Sequence, residues 1–204
     1  MSPIKNIIFD FGDVFLNLDK KAPEQHLKIH GIETLDDKTI RIHKDYEKGL
    51  ISTDEFVEYH SKTFNGLSEP HFVEAWNSML KDFPKHRLDF LKTLKDSNDF
   101  KIFLLSNTND LHIKWVENNV SFFNSFKACF DEFYLSYEIN LRKPDPDIFE
   151  FVLLQNNLIV HETLFIDDTL EHINSAKNLN LQTWHLKAGQ EDVVDLFEQK
   201  HLNF

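Results

Sequence analysis

Cysteine is almost missing from this sequence: Cys129 stands alone among 204 residues, which excludes an intramolecular disulfide and fits a reducing, cytoplasmic setting. Basic charge is short as well. Lys and Arg number 22 against 34 Asp and Glu, a formal net charge of −12, and such a surface argues against nucleic acid, whose phosphates need a basic face to release counterions. Any phosphorylated ligand would then have to meet a local cation, either a metal ion or a placed lysine. No stretch reaches the roughly 20 apolar residues that a membrane-spanning helix needs. Met1 leads into the first apolar run with only Lys5 between, a pattern that predicts no signal peptide. The five glycines and six prolines do not gather into a linker, and there is no internal repeat or low-complexity tract.

What is present suits a globular chain able to bury a core, at 41% hydrophobic and 27% charged; the length predicts one domain, or one domain with a smaller insertion. Twenty phenylalanines carry no functional reading. The first strand is expected over residues 6–11. Residues 20–84 then show helical periodicity, with helices expected over 23–30, 35–48, 53–64 and 70–80, separated by Gly31, Gly49 and Gly66; Ser52 or Thr53 is the expected cap of the third. Past Pro84 strands at 101–105, 132–136, 163–166 and 182–185 alternate with helices at 86–95, 111–119, 144–155, 171–179 and 191–200. That alternation predicts right-handed crossovers and a Rossmann-like three-layer α/β sandwich with a parallel sheet. The domains are accordingly a core of residues 1–19 and 85–204 and a small helical-bundle cap of residues 20–84, inserted after the first strand.

Four strand ends carry chemistry, and open α/β sheets place their sites at the carboxyl ends of strands. The apolar run Ile7-Ile8-Phe9 delivers Asp10, with Gly12 just beyond. Phe103-Leu104-Leu105 ends on Ser106-Asn107-Thr108-Asn109, where a hydroxyl and a helix start can bind an oxyanion. No Gly-x-Ser-x-Gly elbow surrounds Ser106, so it does not read as a nucleophile. Arg142-Lys143-Pro144-Asp145 puts a basic pair before a proline suited to a first helical position. Leu164-Phe165-Ile166 ends on Asp167-Asp168, and two adjacent carboxylates invite a bound cation.

In this order the four segments resemble the haloacid dehalogenase superfamily of aspartate-nucleophile hydrolases, over almost the whole chain. The phrases Leu105-Ser106-Asn107-Thr108-Asn109 and Arg142-Lys143-Pro144-Asp145 look like the small bacterial sugar-phosphate phosphatases similar to α-glucose-1-phosphate phosphatase. The resemblance implies that Asp10 attacks phosphorus and forms an aspartyl-phosphate. It implies that Asp10, Asp168 and the Gly12 carbonyl hold Mg²⁺, with Asp167 contacting the metal or supporting it from behind. Ser106 and the Asn107 backbone would donate to phosphoryl oxygens, and Lys143 would neutralise the phosphoryl group and keep Asp10 ionised. The expected partner is a small phosphorylated metabolite, met by a monomer or homodimer.

One position departs from the pattern. Phosphatases of the superfamily usually carry a general-acid aspartate two residues after the nucleophile, where this chain has Gly12; Asp13 lies one place further on. Such help is typically worth about 10² to 10⁴ in rate, so the gap predicts a preference for esters whose leaving group needs little protonation, such as sugar 1-phosphates. Substrate choice is expected in the cap, with Arg41, His43, Asp45 and Glu47 as candidates against a solvated helix face. His112 and His172 read as supporting or surface histidines, and Trp76 and Trp115 as packing residues. Two competing readings are a non-catalytic phosphate-binding module and a haloacid dehalogenase. The dehalogenase would want cap arginines for a carboxylate substrate, and of three arginines only Arg41 lies in residues 20–84.

Overall fold

The core strands are near-continuous apolar runs because both faces of the sheet are covered. In a computed structural model describing residues 2–204, β1 (Asn6–Phe9), β2 (Lys101–Ser106), β3 (Glu132–Leu135), β4 (Thr163–Asp167) and β5 (Gln182–His185) form one sheet of order β3-β2-β1-β4-β5. Every pairing is parallel. Strand side chains alternate between two cores. Ile7, Phe9, Leu104 and Ile166 pack into one cluster, while Ile8, Phe103, Leu105 and Phe165 pack into the other. The three-layer α/β expectation therefore holds.

The helices are α1 (Ala22–Ile29), α2 (Asp37–Glu47), α3 (Thr53–Thr63), α4 (Glu69–Asn77), α5 (Lys85–Ser97), α6 (Asp110–Asn119), α7 (Phe123–Lys127), α8 (Ser136–Ile139), α9 (Pro146–Gln155) and α10 (Leu170–Asn178). α5, α6 and α7 cover the first core, where Phe126 meets Phe15 and Phe83 at centroid distances of 4.9 Å each. α9 and α10 cover the second. α1 to α4 gather around a third cluster of their own, including Leu27, Tyr46, Phe56 and Phe72. Ser52 is the cap of α3: its hydroxyl accepts from Glu55 N at 3.2 Å and Glu55 accepts from Ser52 N at 2.8 Å, a reciprocal capping box. Where α2 ends, Gly49 has φ +65°, and a Cβ built there would lie 2.1 Å from the Tyr137 carbonyl oxygen, so this contact is made by bare backbone.

Several boundaries differ from the sequence reading. The expected closing helix at 191–200 is a 3₁₀ helix, Val193–Glu198; three residues per turn align Val193 with Leu196, and both are fully buried. The helix expected from Pro144 begins at Pro146, and Pro144 lies in the loop behind a cis Lys143–Pro144 bond. Ser136 opens α8 instead of ending β3, because its hydroxyl bridges Thr108 N and Thr108 O at 2.9 and 3.0 Å. The short α7 and α8 were not expected at all.

Burial pushes the imidazoles of His43, His60 and His112 down to about 4, against about 6.5 in an unfolded chain. Between those values the unfolded state binds more protons, so this contribution is complete above about pH 6.5 and is lost as pH falls toward 4. Urea unfolding at pH 7 and pH 5 should differ by at least about 2 kcal/mol, and His60→Phe should shrink the difference. Equal stability at both pH values would show that these rings are not buried as described.

Candidate active site

Asp10, Ser106 and Asp167 come together because β2, β1 and β4 are adjacent and parallel, so their carboxyl ends share one edge of the sheet. Asp10 stays attached to that edge through its N–H, which donates to the Ile166 carbonyl at 2.9 Å. Into this edge the loop after α8 inserts Lys143, which has no exposed surface. The ammonium has three donors and three acceptors: Asp10 Oδ1 at 2.6 Å, Asp167 Oδ2 at 2.7 Å and the Leu105 carbonyl at 2.8 Å.

Asn107 acts on the same lysine through its side chain. The amide donates to the Lys143 carbonyl at 2.8 Å and accepts from Lys143 N at 2.9 Å, splicing the loop after β2 to the loop carrying the cation. Sequence reasoning gave Asn107 only a backbone role and missed this splice. Ser106 is 2% exposed, and its hydroxyl makes only a long 3.5 Å contact to the Asn107 carbonyl, which leaves its donor available to a ligand.

Asp167 is fully buried and held from three sides, by Lys143, by Thr169 N at 2.7 Å and by His172 Nδ1 at 3.0 Å. Asp168 is more open, and its Oδ2 lies 2.6 Å from Lys20 Nζ. Burial raises the Asp10 carboxyl to about 7, with Lys143 opposing and the neighbouring Asp167 and Asp168 reinforcing. Burial also works against the Asp167 anion, but Lys143 and His172 prevail and hold that carboxyl down at about 2. One oxygen each of Asp10, Asp167 and Asp168 lies within 4.8 Å of the others. Three hard oxygen donors in that space fit a divalent cation such as Mg²⁺.

Gly12 and Asp13 shape the turn after Asp10. Asp13 has φ +55°; its Oδ1 accepts from Leu18 N at 2.9 Å and its Oδ2 lies 3.0 Å from Lys20 Nζ, so both oxygens are engaged in holding the loop. Gly12 does not need a left-handed backbone. It needs space, since a Cβ there would lie 2.7 Å from Leu18 Cδ1. Lys20 had no sequence signal, and it reaches the site only because this turn folds back.

A cavity of about 560 Å³ is lined by Gly12, Ser106 and Asn107 from this edge and by residues of α1, α2 and α4, His43, Glu47 and Trp76 among them. Of the four polar residues singled out on α2, Arg41 is exposed as on a solvated face, His43 and Glu47 line the cavity, and Asp45 does not. Glu47 pairs with Arg142 at 2.8 Å and Lys48 with Asp145 at 2.8 Å, joining the end of α2 to the loop that carries Lys143. His112 is buried between Asn109 and the Trp76 carbonyl at 3.1 and 3.2 Å.

A family model described as haloacid dehalogenase-like hydrolase matches residues 4–180. The chain belongs to the haloacid dehalogenase-like hydrolases. Among relatives of this hydrolase, a D-ribitol-5-phosphate phosphatase of Bacteroides thetaiotaomicron is 31% identical over 199 residues, covering 92% of this chain and 94% of the relative. A haloacid dehalogenase family enzyme from the same organism, solved as a magnesium complex, superposes with TM-score 0.86 at 37% identity, covering 97% of this chain and 100% of that one. Its wild-type complex with magnesium and inorganic phosphate gives TM-score 0.80 at 36% identity, over 92% and 96% of the two chains.

Proposed function

We propose that this hydrolase is a Mg²⁺-dependent phosphatase of a small phosphorylated metabolite, working through an aspartyl-phosphate on Asp10. The observation that carries the reading is Lys143, wholly buried and shared between Asp10 and Asp167, and hydrogen-bonded to Asn107 and to the Leu105 carbonyl next to Ser106; Ser106 and Asn107 line the cavity. A buried ammonium beside two carboxylates is costly unless it serves charge at that point, and a phosphoryl group brings such charge. The named relative and the magnesium and phosphate complexes of the neighbours support the same reading.

Asp10, Asp167 and Asp168 would hold the metal, which when bound neutralises phosphoryl oxygens and favours the ionised form of Asp10. Lys143 occupies Asp10 Oδ1 and leaves Oδ2 to attack phosphorus. The P–O ester bond breaks, the leaving alkoxide takes a proton from solvent, and water then cleaves the aspartyl-phosphate. Ser106 donates to a phosphoryl oxygen. Residues 20–84, with their own apolar cluster, act as the cap over the cavity.

With Gly12 at the general-acid position and Asp13 engaged elsewhere, we infer a preference for leaving groups that need little protonation, sugar 1-phosphates among them. The relative's named substrate is instead the phosphate of a primary alcohol, so the two classes belong in one experiment. Phosphate release from α-D-glucose 1-phosphate, D-ribitol 5-phosphate and phenyl phosphate is expected to need Mg²⁺ and to vanish in Asp10→Asn, with the ribitol ester slowest. A ribitol ester turned over as fast as the others would end the leaving-group argument. No release from any ester, in a folded protein stabilised by phosphate only with Mg²⁺, would favour a binding module.

A further inference from the structure

The cavity wall formed by α1, α2 and α4 is mostly apolar, with Leu27, Ile40 and Phe72 among its residues, so a polar group on it is informative. His43 is one, and its protonation pattern follows from its neighbours. His60 Nδ1 lies 2.7 Å from the Phe56 carbonyl; a carbonyl only accepts, so Nδ1 bears the hydrogen. In the neutral ring His60 Nε2 is therefore an acceptor. It lies 2.9 Å from His43 Nε2, which must donate, and His43 Nδ1 is left with a lone pair. No hydrogen bond from the described residues reaches that nitrogen. Both rings are neutral at pH 7, since burial pushes each down to about 4. Edge contacts to Phe56 at 5.7 Å and Trp76 at 4.8 Å fix the ring plane.

Three polar side chains beside His43 are already engaged. Trp76 Nε1 donates to Asn109 at 3.3 Å, both ring nitrogens of His112 are bonded, and Glu47 is paired with Arg142. We propose that His43 is a specificity-determining residue whose Nδ1 accepts a hydrogen bond from a hydroxyl on the leaving group of the phosphate ester. The inference rests on the phosphatase reading and names its substrate class, a phosphomonoester of a hydroxylated carbon skeleton. The physical basis is the cost of covering an acceptor with a ligand that offers no donor, which lets a site built for a hydroxyl reject analogues that lack it.

The test compares D-ribitol 5-phosphate and α-D-glucose 1-phosphate with phenyl phosphate, whose leaving group has no hydroxyl beyond the one released. His43→Phe keeps an aromatic ring and removes the acceptor. It is expected to lower kcat/KM for the better of the two hydroxylated esters by about tenfold or more, chiefly through KM, as the loss of one buried hydrogen bond implies. Turnover of phenyl phosphate should stay the same or improve. His43→Asn, whose amide oxygen reaches toward the Nδ1 position, should recover most of the loss. Undiminished turnover of the hydroxylated ester in His43→Phe would overturn the assignment. So would equal losses on both ester types, with no recovery in His43→Asn. A wild-type protein that hydrolyses none of the three with Mg²⁺ would instead remove the phosphatase reading and this inference with it.

Discussion

Lys143→Met is expected to abolish phosphate release and to destabilise the protein by about 3–5 kcal/mol, the usual cost of breaking a buried ion pair from one side. The side chain keeps its length and loses three hydrogen bonds at once, to Asp10, Asp167 and the Leu105 carbonyl. In the metal-free protein two buried carboxylates then face each other with no cation between them. Asp10, already raised to about 7, relieves part of the strain by taking up a proton, whereas Asp167, held at about 2 by Lys143 and His172, loses its main support. The deficit should therefore be larger at pH 8 than at pH 6. Urea denaturation at both pH values checks this, and adding Asp167→Asn to the variant should restore part of the stability. A variant as stable as the wild type at pH 8 would mean that Lys143 does not sit between these carboxylates.

Gly12→Asp combined with Leu18→Ala should raise the hydrolysis of a primary alkyl phosphate by about 10² to 10⁴, the range for general acid–base help, with a much smaller gain for phenyl phosphate. The paired change is needed because a Cβ at position 12 would lie 2.7 Å from Leu18 Cδ1. Leu18 is bridged to Leu80 through its backbone, which alanine preserves. Asp10 Oδ2 lies 4.0 Å from the position of that Cβ, so the new carboxyl would start beside the proposed nucleophile. The ratio of kcat for alkyl and aryl esters, in the double variant and in the wild type, is the measurement. An unchanged ratio would show that proton transfer to the leaving group does not limit this enzyme.

The sheet was readable because its strands are covered on both faces: uninterrupted runs such as Ile7-Ile8-Phe9 and Leu164-Phe165-Ile166 leave few alternatives to a buried parallel strand. Asp10, Ser106 and Asp167 were readable for the same reason, since a strand end fixes where the next side chain lands. Lys143 was named as a cation from its loop, but its threefold bonding depends on Asn107, and an amide that braces a neighbouring loop looks like any turn residue. The final turn was misread as an α-helix because Val193 and Leu196, three apart, suit either helix type over so short a span. Lys20 gave no signal, because its place at Asp168 is set by the backbone of the preceding turn and not by any pattern of its own.

The contact at Gly49 bears on the height of the cavity roof. Between the end of α2 and the start of α8 the two parts of the chain meet peptide on peptide, with no side chain as a shim. The same few residues carry the Glu47–Arg142 and Lys48–Asp145 pairs, so the spacing between α2 and the loop of Lys143 is held at adjacent points. A methyl group there would lie 2.1 Å from the Tyr137 carbonyl oxygen, so α2, which carries His43, could not keep this approach. The approach of α2 to α8 is thus gauged by an atom that is missing.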